Sequence, residues 1–426
     1  MNPKPSLLAI ALVAALAQPA LAAPAPLYTV LPTLETPNIA SPGDADDPAI
    51  WLHPTDPGKS LVITAVKNGG GRVYDLAGNE VQVLAPFPVS SGASRFNNVD
   101  VQYRFRLYDG SRVDIAVATD RGQDVFRIWK IDTDATSPLT YIGAANPTRA
   151  FADKPDGSIN PLSQQNTAYG MALYRDVAAD RIFVLATQRS QPRLAQFELI
   201  ALADGSVDVQ YLRDWQFPTL TLGSTVYNLA GKQFEGMVVD QQTGLLYAGQ
   251  EDVGIWRIDL KTGLADAAPF VLSTDYDLAS PLTQDIEGLT LYYGRNGTGY
   301  LLASSQGDNT FAVFDRQTLA YLGSFMVGAN GGIDAVQHSD GADVLGLALP
   351  GFPSGLFITQ DGENAPENGT NFKYVSWGEI AGAMGLQVDP LAYDPRTLAP
   401  VPEPETWAML LAGLGLVGLM ARRRLS

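Results

Sequence analysis

The chain has 426 residues, 46% of them hydrophobic, with 45 acidic and 28 basic side chains, two histidines and no cysteine. That apolar content excludes a mainly disordered chain, and the missing cysteines exclude a disulfide framework, a thiolate metal site and a Cys nucleophile. A formal charge of −17 argues against nucleic acid as a non-specific partner, because phosphate backbones repel a net anion, and two histidines leave little room for a multi-histidine metal centre.

Residues 1–22 read as an export signal. Lys4 gives a positive start, Leu7 to Ala17 is apolar, and Ala20-Leu21-Ala22 is a small-x-small cleavage site. From residue 23 to 400 there is almost no helical periodicity; short β-branched and aromatic runs recur instead, broken by Gly, Asp and Asn. One strand type returns with an aromatic among alternating residues: Tyr74, Trp129, Phe197, Trp256, Phe314 and, more weakly, Phe372, at spacings of 55 to 68 residues. A unit of that size has room for four strands and their loops. Six such units predict one all-β, six-bladed propeller with four-stranded antiparallel blades; a pair of β-sandwiches would give shorter, less regular spacing.

Polar clusters punctuate these strands. Asp44, Asp46 and Asp47 come just before a strand; Glu235-Gly236 follows Lys232; Asp285 and Glu287 share a face at strand spacing; Asp361, Glu363 and Asn364 sit in a tight turn. Oxygen donors without His or Cys select Ca²⁺ or Mg²⁺ over zinc or copper, although any one acidic turn is ordinary surface chemistry.

The final segment, residues 401–426, reads as a second address. Val401-Pro402-Glu403-Pro404 leads into an apolar stretch from Trp407 to Ala421, closed by Arg422-Arg423-Arg424. The stretch is shorter than the ~20 residues of a stable spanning helix, and arginines held on the cytoplasmic side would leave the body outside. This order resembles the bacterial PEP-CTERM sorting tail. The resemblance implies an exosortase-type processing enzyme as partner and an exported protein at the surface, outer membrane or matrix of a Gram-negative cell; a plain transmembrane anchor is the alternative.

Read together, the body segments resemble the β-propeller phytases from about Glu35 to Ala381. The match rests on Asp44-Ala45-Asp46-Asp47-Pro48-Ala49-Ile50-Trp51 and Asn97-Asn98-Val99-Asp100-Val101, with further agreement at Tyr169-Gly170, Glu251 to Trp256, Asp285 to Thr290, Tyr300 to Gly307, Gln360 to Asn364 and Asn371-Phe372-Lys373. The resemblance implies a phosphomonoesterase that holds several Ca²⁺ ions and acts on phytate, myo-inositol hexakisphosphate, or its calcium complex. By position it assigns Lys67, Arg121 and Arg189 to phosphate contact, Tyr169 to a hydroxyl contact, and Glu235 and Glu287 to the catalytic calcium ions and the attacking water. Asp47, Asp285, Asp340 and Glu251 complete an acidic cleft. Asp46, the Pro48 and Val99 carbonyls, Gln306, Asp334, Asp361, Glu363 and Asn364 resemble calcium ligands, and Glu35 matches more loosely. Arg189 stands where a lysine is usual, and His338 where the pattern is acidic. A propeller lactonase or phosphodiesterase, which needs fewer cations around its metal, and a non-enzymatic matrix-binding propeller are the competing readings. A monomer is expected, since a closed propeller has few free edges.

Overall fold

The structure is a computed structural model and describes residues 27–89, 93–132 and 135–399; the segments expected to be an export signal and a sorting tail lie outside the described residues. Six antiparallel sheets stand in a ring, each entered through its innermost strand. Those strands are Ala45–Trp51, Phe96–Arg106, Ala168–Asp176, Phe234–Asp240, Ile286–Tyr293 and Ala342–Leu345, and each packs against the next until the sixth meets the first. The chain is a six-bladed β-propeller.

The recurring aromatic positions fall on the third strand of every blade: Tyr74 in Gly70–Tyr74, Trp129 in Val125–Ile131, Phe197 in Arg193–Ala201, Trp256 in Gly254–Asp259, Phe314 in Thr310–Asp315 and Phe372 in Gly369–Ser376. All six are buried. The core is laid between blades rather than at one centre; Tyr74, Phe96, Trp129 and Phe372 belong to a single cluster spanning blades six, one and two. Removing one of these rings would leave a cavity costing about 3–5 kcal/mol.

Closure uses the other end of the chain. Leu34–Glu35 pairs with Gly369–Ser376 as the outermost strand of blade six, and Leu27–Val30 adds a fifth, parallel strand to blade five. After the one α-helix among the described residues, Trp377–Met384, residues 386–399 cross the face of the ring where the inner strands end. Asp389 N donates to Tyr292 Oη at 2.7 Å, Tyr393 stacks on Tyr293 at 3.9 Å between ring centres, and Arg396 pairs with Asp114 at 2.6 Å.

Candidate active site

The opposite face, where the inner strands begin, is built by one repeated irregularity. In the first five blades the inner strand carries one extra residue against its neighbour, between Ala45 and Pro48, Phe96 and Val99, Ala168 and Met171, Phe234 and Met237, and Ile286 and Leu289. Such a bulge breaks strict alternation and re-aims a side chain. Its first residue is Asp46, Asn97, Tyr169, Glu235 or Glu287; Asp340 holds the corresponding place ahead of Ala342 in blade six. The second position is glycine in four blades because neighbouring strands touch there. A Cβ on Gly170 would lie 1.9 Å from the Glu235 carbonyl oxygen, and one on Gly236 1.7 Å from that of Glu287.

A second ring lies one step outward, where each second strand ends. Lys67, Arg121, Arg189, Glu251 and Gln306 are held by the same bond, a backbone N–H donated to the carbonyl of Asp44, Arg95, Thr167, Gln233 and Asp285 respectively, at 2.7 to 3.1 Å. The two rings bring ten residues singled out in the sequence to one axial cleft, with Asp285 at its rim. They also split it by charge. Blades one to three supply the cations, with one buried carboxylate, Asp46, 3.8 Å from Lys67 among them, whereas blades four to six supply Glu235, Glu251, Glu287 and Asp340.

The carboxylate arc is held against its own charge. Glu235, Glu251 and Glu287 each place an oxygen within 4.8 Å of the others. Burial, and then Glu235 beside it, push Glu251 up to about 9 and Glu287 well above the usual carboxylate range. Glu287 Oε2 is buried without a hydrogen-bond partner, as are both carboxylate oxygens of Asp46. Burial also raises Asp46, and it pushes Asp340 up to about 6.

On the cation arc, burial works against the charge of Lys67, but Asp46 and Asp340 outweigh it and hold the ammonium firmly protonated. Its Nζ lies 2.6 Å from Asp340 Oδ2, and Gln306 Nε2 donates to Asp340 Oδ1 at 2.5 Å. Arg121 Nη1 donates to Asn97 Oδ1 at 2.6 Å, and Asn97 Nδ2 in turn to Glu235 Oε1 at 2.7 Å. Tyr169 keeps its proton, because burial and then the three glutamates drive the phenol well above its ordinary value.

Other candidate ligands fall in two separate places. Asp47, Pro48 and Val99 line a small cavity deeper in the channel with Asp100 and Asp343; Val99 N donates to Asp47 Oδ2 at 3.1 Å, and burial pushes Asp100 up to about 7. Glu35, Asp334, Asp361 and Asn364 instead converge on the buried ammonium of Lys373, with Asp361 Oδ2 at 3.1 Å and Asn364 Oδ1 at 3.0 Å. Three carboxylates around one ammonium leave two negative charges uncompensated there. Glu363 is exposed and lies apart from this group, 3.4 Å from His338 Nε2.

Two residues of the cleft went unassigned in the sequence. Asn97 was seen only as part of a motif, yet it links the two arcs. Arg95 precedes the blade-two bulge, its backbone N–H held by the buried Asp120 at 2.9 Å; burial and then Arg121 lower its guanidinium, and its Nε is buried without a hydrogen-bond partner. The shared offset, two residues before the bulge in one case and its first residue in the other, is the signal that finds them.

The Phytase family matches residues 5–399, essentially everything ahead of the tail. The chain belongs to the phytase family. A 3-phytase of Bacillus subtilis (strain 168) is 36% identical over 372 residues, which is 85% of this chain and 87% of the relative. The PEP-CTERM protein-sorting motif matches residues 400–424 of this phytase, which implies exosortase processing and export to the surface of a Gram-negative cell. Among solved structures, a chain of the one described as "Crystal Structure of Mitotic Checkpoint Complex" overlaps 86% of this chain and 84% of its own at 13% identity, with a TM-score of 0.39.

Proposed function

We propose that this phytase is an exported, calcium-dependent phosphomonoesterase that hydrolyses phytate by direct attack of water. The observation that carries the reading is the split cleft, with Lys67, Arg121 and Arg189 facing Glu235, Glu251, Glu287 and Asp340. Carboxylates alone would repel a phosphate ester. The donors suit a hard cation, because all are oxygens, three carboxylates gather within 4.8 Å, and buried oxygens of Glu287 and Asp46 have no hydrogen bond. Glu235, Glu251 and Glu287 would hold calcium, bordered by Asp285 and Asp340, while the Asp47 set and the Asp334–Asp361–Asn364 set would hold structural ions. When bound, calcium supplies charge neutralisation at the phosphate oxygens and a more acidic water than bulk solvent.

The chain's own groups do the rest. Lys67, Arg121 and Arg189 bind the phosphoryl oxygens and oppose their charge as it redistributes. The planar fork of Arg121 is aimed by Asn97, whose Oδ1 accepts from Nη1. Tyr169, protonated at working pH, donates a hydrogen bond to a phosphate oxygen. The water oxygen bonds to phosphorus as the bond to the inositol oxygen breaks; a carboxylate of the Glu235–Glu251–Glu287 group takes the water proton, and the leaving alkoxide takes one from solvent. No side chain becomes phosphorylated, so a trapped phosphoenzyme would refute the route. Inorganic phosphate release from phytate, assayed with calcium and then with excess chelator, tests the whole reading. Folded, calcium-loaded protein that releases none would overturn it.

A further inference from the structure

The face opposite the cleft inverts the sign of the molecule. Arg104 and Arg106 end the inner strand of blade two, Arg175 lies at the end of that of blade three, and Lys59 and Lys130 flank them on blades one and two. They line two adjoining grooves, the larger of about 770 Å³, in which eight Lys and Arg side chains face five carboxylates. Three of those carboxylates are spent on ion pairs with other arginines, Asp180 with Arg112, Glu198 with Arg181 and Asp114 with Arg396. Among the described residues Arg104, Arg106, Arg175, Lys59 and Lys130 form no ion pair. Their mutual closeness is felt at Arg175, where burial and then Arg104 depress the guanidinium.

The chain also leaves the propeller on this face. Arg175 Nη1 donates to the Arg396 carbonyl at 2.8 Å, and Gln242 Nε2 to that of Leu398 at 3.4 Å, which pins the segment that ends at Ala399. Seven residues then separate Ala399 from Trp407, where the apolar run of the sorting tail begins. Fully extended, that link reaches at most about 28 Å. Whatever bilayer receives the apolar run is therefore tethered within about 28 Å of the point where the chain leaves this face.

We propose that this face docks on anionic lipid headgroups while the tail is engaged, which turns the catalytic cleft away from the bilayer. A chain of charge −17 is on average repelled by an anionic surface, so contact through the cationic face both adds affinity and favours one pose. The attraction is short-ranged, falling off within a screening length of about 8–10 Å in physiological salt.

The test uses the full chain with its tail. Sedimentation with vesicles of neutral phosphatidylcholine gives the contribution of the tail; vesicles of the same lipid mixed with phosphatidylglycerol add that of the face. Replacing Arg104, Arg106 and Lys59 by Gln is expected to weaken binding to the anionic vesicles roughly a hundredfold, about fivefold per charge, to leave binding to neutral vesicles unchanged, and to leave phosphate release from phytate in solution unchanged, which also reports that the variant is folded. The absence of cysteine allows single labels at Tyr108→Cys, exposed on the basic face, and Leu278→Cys, exposed beside the cleft. A quencher carried in the bilayer should dim the first and spare the second. Equal binding by the triple variant, equal quenching of both labels, or binding to a soluble acidic polysaccharide in place of anionic vesicles would each overturn the proposal.

Discussion

Glu251→Gln changes one atom and should shift stability in opposite directions with and without calcium. The amide keeps an acceptor for Gln233 Nε2, which donates to Glu251 Oε1 at 2.6 Å, but it removes a carboxyl raised from 4.5 to about 9 by burial and by Glu235. A folded-state value above the unfolded one means the group supports the fold below pH 4.5 and that this support is lost as pH rises toward 9. Between 4.5 and 7 the loss is at most about 3 kcal/mol, at about 1.4 kcal/mol per unit, and sharing of protons within the trio lowers it to about 1–2. Urea unfolding followed by circular dichroism in chelator should therefore find Glu251→Gln more stable than the parent at pH 7 by that amount, and equal to it near pH 4.5. With calcium the order should reverse. A variant equally destabilised in chelator at pH 5 and pH 7 would refute the idea that this carboxyl is held against its charge.

Further outcomes follow from the same geometry. Gly236→Ala places a methyl 1.7 Å from the Glu287 carbonyl oxygen; forcing two inner strands apart should cost at least about 3 kcal/mol, read as a fall in Tm, and should abolish phytate hydrolysis. Asn97→Ala uncouples Arg121 from Glu235 and should lower kcat about 10–100-fold in steady-state assays, with a smaller loss of stability of about 1–3 kcal/mol. Arg95→Ala should raise KM for phytate about tenfold and leave kcat nearly unchanged, as loss of one charged hydrogen bond implies; an unchanged KM would remove Arg95 from the substrate's reach.

The architecture was legible because third-strand aromatics recur at near-constant spacing, and packing between blades demands a large ring at that place in every unit. The cleft residues were legible one at a time through the family resemblance, but their equivalence was not. A bulge inserts one residue into an alternating strand, so Asp46, Asn97, Tyr169, Glu235 and Glu287 occupy one structural position that period-two reading assigns inconsistently. Lys373 stood in a recognised motif without any hint that Glu35, 338 residues away, would meet its ammonium. The closing strand Leu34–Glu35 is too short to carry a pattern. The basic face was hidden for a simpler reason: Arg106 and Arg175 become neighbours only when two blades stand side by side.

Closing the ring with its own N-terminal strand has a consequence for timing. Leu34 pairs with Tyr374, Ala45 N donates to Thr370 Oγ1 at 2.7 Å, and Asn364 Nδ2 donates to Asn38 Oδ1 at 3.0 Å. Contacts this distant in sequence cannot form until nearly the whole body has been made, and a chain synthesised from its N-terminus holds an open, five-blade arc until residue 376 follows. Circularisation and delivery of the sorting tail thus become almost one event, with fewer than fifty residues between them. A chain stalled before that point would present an unpaired strand edge rather than a smaller working enzyme.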